Sequence, residues 1–397
     1  MNWARLSVIF TSFFLVVLYG VSQSEAILTW PMAVQVGLQL TLALVVVAVI
    51  AQGAAWLVDA ACRIAARLGV SRLVIGLTIV AFGTSAPEFT ASLLAGRGGH
   101  GDLAVANVVG SNVFNLCFIL GGVSLLLRSG LAAERDLVQR DGPVLLLGTL
   151  LLYVFIGPPP PWLAEAAQVP WGAPWPVPWN QALERWEGLC LLLGLATYLL
   201  GLYRARSRAG GEAGSDEAGS DAVAEEADPG PFRWSDVPLF LLGLGLVVGG
   251  CQMLVGEAEV VQGGIRGFGA LWLAKAWGLP EYVVGVTIVA AGTSAPELVV
   301  SLVAALRGAF GLSAGNLIGS DICNFYGVLG LTGMLGEGPA ALPVAISGEM
   351  ALATLWPCAV VLVVCGFMRT QMRVSRLEGL CLVVLGMVRW ASDLGLT

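Results

Sequence analysis

One hexapeptide, Gly-Thr-Ser-Ala-Pro-Glu, occurs twice in this 397-residue chain, at positions 83–88 and 292–297. Each copy lies in an otherwise uncharged apolar run. A carboxylate near the centre of a bilayer costs about 2.5–3.5 kcal/mol on insertion scales, so Glu88 and Glu297 need compensation twice, at equivalent depth. Pro87 cannot donate to the carbonyl of Gly83, its ring pushes that turn open, and Gly83 adds local freedom. Carbonyl oxygens around 81–84 are then released toward a pocket to which Thr84 and Ser85 contribute hydroxyls; Gly292, Thr293, Ser294 and Pro296 repeat the arrangement. The expected product is a cage of carboxylate, carbonyl and hydroxyl oxygens, which suits hard cations such as calcium and sodium and not soft metals. A lone intramembrane Glu can be a structural hydrogen-bonded acid; two at matching positions favour a shared cation site.

Downstream of each hexapeptide, Gly110-Ser111 and Gly319-Ser320 permit close helix packing and offer further hydroxyls, with Asn115 and Asn324 one turn later on the same face. These residues read either as helix-packing positions or as further oxygen ligands. Asp321 is a third intramembrane acid, standing where the first copy has Asn112. It is an extra cation or proton ligand, or a partner for a polar group in the bundle.

The elements that must hold these groups are apolar. The chain is 57% hydrophobic and 12% charged, against roughly one quarter charged in a soluble domain. Ten spanning segments are expected, at 35–58, 72–96, 103–127, 138–157, 186–203, 236–258, 280–306, 312–335, 344–367 and 376–393. In lipid, backbone satisfaction makes segments of this length helices. Residues 1–30, with the apolar stretch 6–21, are a signal peptide or an extra N-terminal helix. Arg63, Arg67 and Arg72, then Arg128, Arg135 and Arg140, then Arg204, Arg206 and Arg208, then Arg369, Arg373 and Arg376 place four inter-helix segments on the cytoplasmic side. The Pro/Trp-rich stretch 158–179 suits the outer interface. Residues 209–233 carry Gly, Ala, Ser and acids without apolar periodicity, which reads as a disordered cytoplasmic linker.

Other chemistries are poorly served. Lys275 is the only lysine among 20 basic residues, so no polybasic nucleic-acid patch exists. The eight cysteines form no Cys-x-x-Cys pair and read as buried packing residues, and His100, the single histidine, reads as solvated loop. No nucleophile–histidine pair supports an enzyme.

Residues 76–126 align without gaps on 285–335, with about 23 of 51 positions identical. Arg185-Trp-Glu-Gly-Leu-Cys190 also matches Arg376-Leu-Glu-Gly-Leu-Cys381, so the repeat spans a five-helix half: 31–208, then 234–397. An odd number of helices per half turns the second half upside down relative to the first. Inverted repeats with interrupted helices at matching positions point to a transport site at the midplane. The fold expected is an all-α membrane protein of ten transmembrane helices in two inverted five-helix repeats.

The paired Gly-Thr-Ser-x-Pro-Glu elements, each followed by Gly-Ser-Asn/Asp-x-x-Asn, resemble the alpha repeats of the sodium/calcium exchanger family, in the prokaryotic form of the calcium/cation antiporter superfamily. The resemblance covers the chain from about Val34 onward. It implies alternating access, with calcium leaving the cell in exchange for sodium across the inner membrane, and neither a cofactor nor a protein partner. It places ion ligands on Thr84, Ser85, Glu88, Ser111, Asn115 and the carbonyl of Ala81. In the second half it places them on Thr293, Ser294, Glu297, Ser320, Asn324 and the carbonyl of Ala290. Many relatives, including potassium-dependent ones, carry Asp where this chain has Asn324, whereas its acid, Asp321, stands three residues earlier, where Asn is usual. About twelve residues between Val260 and Leu273 are inserted relative to the first half. The expected mechanism sets Glu88 against Glu297 across a pseudo-twofold axis, balancing one calcium ion or several sodium ions. The rival readings are a proton-coupled calcium/cation antiporter, whose Gly-Asn-Ala-x-Glu element is absent, and a cation channel.

Overall fold

The apolar run expected to end at residue 58 continues as helix to Leu68, because Asp59 ends the hydrophobic window without ending the helical hydrogen bonding. Helix α1 (Met32–Leu68) stops at Gly69, whose φ of 63° closes the helix in the left-handed conformation. The computed structural model describes residues 30–156, 182–209, 231–255, 257–261, 264–268, 272, 276, 290–336, 343–346 and 353–393. The N-terminal segment 1–29, the Pro/Trp-rich stretch 158–179 and linker residues 210–230 lie outside them.

After α1 come α2 (Arg72–Thr84) and α3 (Ala86–Arg97), which meet at a 50° bend. Then follow α4 (Gly101–Leu126), α5 (Leu137–Ile156), α6 (Arg185–Ala209) and α7 (Asp236–Val255). The second half supplies α8 (Ala290–Thr293) and α9 (Ala295–Leu306). Helix α10 is built from Phe310–Ile322, Cys323–Val328 and Leu329–Leu335, and the chain closes with α11 (Leu355–Gln371) and α12 (Arg376–Asp393). Among the described residues five helices are long and apolar enough to cross a membrane, or six if the bent pair is one span. Of the ten spans expected, that at 280–306 begins outside the described residues. That at 344–367 opens on a short strand, with its helix described from Leu355, and that at 236–258 is helical only to Val255 before a strand begins at Glu257.

The distribution of side chains is that of a protein solvated by hydrocarbon. Leu44 is 72% exposed and Leu94 67%, while Glu88, Glu297, Asp321, Asn115 and Asn324 are fully buried. In water this would be inverted. One apolar core is formed by α4–α6 with α10–α12, and a second lies between α1 and α7. The expected burial of cysteines holds except at Cys365, which is half-buried, and at Cys190 and Cys381, which are exposed at equivalent positions of the two halves.

Among the described residues three two-stranded ladders tie the loops. β1 (Leu131–Ala132) pairs with β6 (Arg373–Val374), and β2 (Ala182–Leu183) pairs with β5 (Val344–Ala345). The strand after α4 thus joins the strand before α12, and the strand before α6 joins the strand after α10. The inserted stretch near 260 contributes a hairpin, β3 (Glu257–Val261) against β4 (Gly264–Phe268). Two ion pairs, Arg63–Asp236 at 2.9 Å and Arg307–Asp59, fasten the ends of α1 to α7 and to the α9–α10 turn.

Close approach of α2 and α10 positions the centre of the molecule. A Cβ on Gly315 would stand 2.6 Å from the Leu73 carbonyl oxygen, and one on Gly319 would stand 2.5 Å from Leu77 Cα. Small residues one turn apart let the two backbones touch, as in membrane helix pairs generally. Gly110, expected to pack in the same way, meets none of the described residues within 4 Å; Val286, its counterpart to Leu77, lies outside them.

Candidate functional site

Each hexapeptide breaks its helix at the serine. Ser85 has φ −77° and ψ 4°, and Ser294 φ −86° and ψ 5°, after which α3 and α9 restart with proline in the first turn. Proline suits that place because no amide hydrogen is required there. Glu88 and Glu297 follow in the first turn of each restarted helix, with side chains fully buried. The release of carbonyls is narrower than the sequence implies. The Ala81 carbonyl accepts the Ser85 amide at 3.0 Å and stands 3.3 Å from the Thr84 hydroxyl. That hydroxyl also lies 3.2 Å from Asn316 Oδ1, and its one hydrogen serves one acceptor at a time.

The two halves cross-bond. Ser85, from the first, donates to Glu297 Oε1 at 3.1 Å; Ser294, from the second, donates to Glu88 Oε1 at 3.3 Å. Ser320 also donates to Glu297 Oε1, at 2.8 Å, and its hydroxyl touches that of Ser85. Its counterpart Ser111 instead donates to the Val108 carbonyl and accepts from Asn324, so the two half-sites differ in detail. Thr293 is half-buried where Thr84 is fully buried, and Ala290 opens α8.

Farther along α4 and α10 the same exchange recurs with amides. Asn115 Nδ2 donates to Asp321 Oδ1 at 2.9 Å, and Asn324 Nδ2 donates to Asn112 Oδ1 at 2.9 Å. Both asparagines thereby commit their donors to the opposite half and leave Oδ1 without a partner. Both sit at or beside π-helical turns, Asn115–Leu120 and Cys323–Val328, a local widening common at functional positions.

Among the described residues the buried side-chain polar atoms left over are all acceptors. Glu88 Oε2, Glu297 Oε2, Asp321 Oδ2, Asn115 Oδ1 and Asn324 Oδ1 are buried with no hydrogen-bond partner. None of the three carboxylates has an ion-pair partner among the described residues. Burying an uncompensated carboxylate is expensive, and one missing hydrogen bond alone costs about 1–3 kcal/mol. A set of oxygens without hydrogens is what a hard cation completes. Among the described residues no three His, Cys, Asp or Glu side chains form one metal-holding group, while the Asp321 carboxylate lies near enough to interact electrostatically with both glutamates.

Two asparagines that sequence reasoning left out of the site support it from behind. Asn316 Nδ2 donates to the Glu297 carbonyl at 3.5 Å and to Ser301 at 3.0 Å; Asn107 Nδ2 donates to the Glu88 carbonyl at 3.4 Å and to Ser92 at 2.9 Å. The signal was available, because Asn107 and Ser92 recur as Asn316 and Ser301 at the repeat offset. Asn316→Ala is expected to lower the melting temperature and to weaken the affinity for a cation held at the glutamates about tenfold, since buried groups lose partners worth about 1–3 kcal/mol each. Calorimetric titration beside a thermal melt measures both, and unchanged affinity would remove Asn316 from the scaffold of the site.

Known proteins resemble this chain in sequence and in fold. A family model described as sodium/calcium exchanger protein matches residues 38–204 and 236–385. The chain is 30% identical over 343 residues to the Sodium/calcium exchanger MaX1 of Methanosarcina acetivorans, covering 84% of this chain and 92% of that one. It is 28% identical over 299 residues to the inner membrane protein YrbG of Escherichia coli, covering 75% and 80% respectively. The solved sodium-calcium exchanger NCX_Mj, soaked with sodium and strontium, superposes with a TM-score of 0.64 at 25% identity, over 88% of this chain and 96% of its own. This mostly helical integral membrane protein belongs to the sodium/calcium exchanger family.

Proposed function

We propose that this chain is a secondary active antiporter that exports calcium in exchange for sodium by alternating access. The observation that carries this reading is the set of buried acceptor oxygens around Glu88 and Glu297, unpartnered and without a counter-charge. Two carboxylates balance one calcium ion, and sodium ions at the same oxygens exclude it. Thr84, Ser85, Ser294 and Ser320 supply neutral oxygens beside the pair, with Ser111, Asn115, Thr293 and Asn324 and the carbonyls of Ala81 and Ala290 completing the ligand set. Antiport follows when only a loaded site can be occluded and turned to the other side.

The proposed architecture is ten spans in two inverted repeats, 31–208 and 234–397, in the inner membrane with the linker 209–233 in the cytoplasm. Several pairings support it. β1 and β6 lie in arginine-rich connections assigned to the cytoplasm, whereas β2 and β5 lie in connections assigned outside. Arg63, Asp236, Asp59 and Arg307 fall on the cytoplasmic side under the same assignment. Bonds that run from each half to the glutamate of the other fit a pseudo-twofold axis between them.

The test is calcium uptake by proteoliposomes with sodium, potassium and proton gradients imposed separately. A sodium gradient is expected to drive uptake well above the other two. Uptake driven by a pH jump in sodium-free buffer would replace sodium with protons. Ohmic single-channel currents would sink the antiporter itself.

A further inference from the structure

The amide and carboxylate contacts between α4 and α10 nearly repeat from one half to the other, apart from the bond of Asn324 to Ser111, and they fail at Asp321 Oδ2. In the internal repeat Asn115 corresponds to Asn324, and Asn112 corresponds to Asp321. The bonds Asn324 Nδ2 to Asn112 Oδ1 and Asn115 Nδ2 to Asp321 Oδ1 are the same contact made twice, each at 2.9 Å. Asn112 then uses its remaining atom, Nδ2, to donate to the Asp321 backbone carbonyl at 3.2 Å. The equivalent atom on the other side is Asp321 Oδ2, and its equivalent partner is the Asn112 backbone carbonyl. Where the repeat calls for a donor the chain has an acceptor, so the equivalent bond to the Asn112 backbone carbonyl cannot form. Asp321 Oδ2 is buried and without a hydrogen-bond partner, as is Oδ1 of the adjoining Asn115.

We propose that Asp321 builds an additional subsite for a monovalent cation, sodium among the ions of this exchanger, distinct from the Glu88/Glu297 pair. Its oxygens are Asp321 Oδ2 and Asn115 Oδ1, both buried, unpartnered and carried by side chains that already touch each other. The subsite has one negative charge and neutral oxygens otherwise. It therefore matches one positive charge, while calcium, which takes six to eight oxygens and favours several carboxylates, matches the glutamate pair. Three buried carboxylates carry a charge that calcium alone does not balance, so the calcium-loaded state retains a monovalent ion on Asp321. Sodium then has opposite effects at two sites: it assists calcium at the first and displaces it at the second.

The inference rests on the exchanger reading above, and one experiment separates the two. Calcium binding to the purified protein is measured in choline buffer as sodium is raised. For the wild type, calcium affinity is expected to rise about tenfold at low sodium and to fall at high sodium. Asp321→Asn, which restores the repeat, is expected to keep only the fall, and N112D/D321N, which carries the acid to the symmetric position, is expected to regain the rise. The displacement of calcium by high sodium reports in each variant that the main site is folded. A wild type whose calcium affinity only falls with sodium overturns the subsite and leaves the exchanger reading intact, as does a rise that persists in Asp321→Asn. A rise produced equally by lowering the pH in sodium-free choline also overturns it, because a proton is then the occupant. A wild type that binds calcium without any sodium competition overturns the exchanger reading itself.

Discussion

Glu88→Gln is expected to abolish sodium-driven calcium flux while leaving the protein at least as heat-stable as the wild type in ion-free buffer. Glu88 is fully buried, accepts one hydrogen bond from Ser294 at 3.3 Å, and leaves Oε2 without a partner. Glutamine has the same shape, removes the charge and introduces two hydrogens among oxygens that have none to share. Calcium affinity should fall at least about 100-fold, equivalent to about 2.7 kcal/mol. The sign of the stability effect is the diagnostic part. A carboxylate kept for structure lowers the melting temperature when neutralised. One kept for a cation relieves a desolvation penalty, so the apoprotein gains or holds its stability. Adding calcium should raise the melting temperature of the wild type and leave that of Glu88→Gln nearly still. Scanning fluorimetry in chelator and in calcium, beside vesicle flux, gives both readings; retained flux, or a lower melting temperature in chelator, would defeat the assignment.

The next largest effect is expected from a single methyl group. Gly319→Ala places a Cβ 2.5 Å from Leu77 Cα and 2.6 Å from the Leu77 carbonyl oxygen, both backbone atoms that have no rotamer in which to retreat. Helices α2 and α10 must then separate locally, at a cost of about 1–3 kcal/mol for overpacking. The chemical consequence is larger than the stability loss. Ser320, the next residue, donates to Glu297 at 2.8 Å and touches Ser85, which itself donates to Glu297 at 3.1 Å. Moving α10 outward by a fraction of an ångström loosens this knot of hydroxyls. Calcium flux should therefore fall by more than about tenfold in protein that still purifies folded, a loss consistent with the sensitivity of such sites to small displacements. Wild-type flux in Gly319→Ala at unchanged melting temperature would show that the two helices do not meet this closely.

Several parts of this molecule were legible in one dimension because local chemistry dictates them. Pro87 and Pro296 lack an amide hydrogen, so helix breaks had to fall just before them, and they do, at Ser85 and Ser294. A carboxylate in an apolar run has few tolerable environments, so the duplicated Glu88 and Glu297 announced a polar centre without reference to neighbours. The extent of α1 was not legible, since hydropathy measures where a helix meets lipid and not where its hydrogen bonding ends. Nor were the π-helical turns at Asn115 and Cys323, which change the register of backbone bonding and leave side-chain polarity untouched. Asn107 and Asn316 were visible as repeated residues, but their bonds to the glutamate carbonyls depend on how helices cross.

By itself the sequence determined the number and chemical type of the groups at the centre: two equivalent hexapeptides, two serine–asparagine pairs, and one acid without a counterpart. Covalent order and the aversion of charge to hydrocarbon suffice for that. Only the tertiary structure decided which atoms of those groups are already satisfied. Serines of one half bond the glutamate of the other, and Asn115 and Asn324 turn their amide hydrogens to the opposite half. What remains is acceptor oxygen alone, including Asp321 Oδ2. Hydrogen-bond donors are assigned through contacts between residues far apart in the chain, so the surplus of oxygens that calls for a cation becomes countable only once the two halves are packed together.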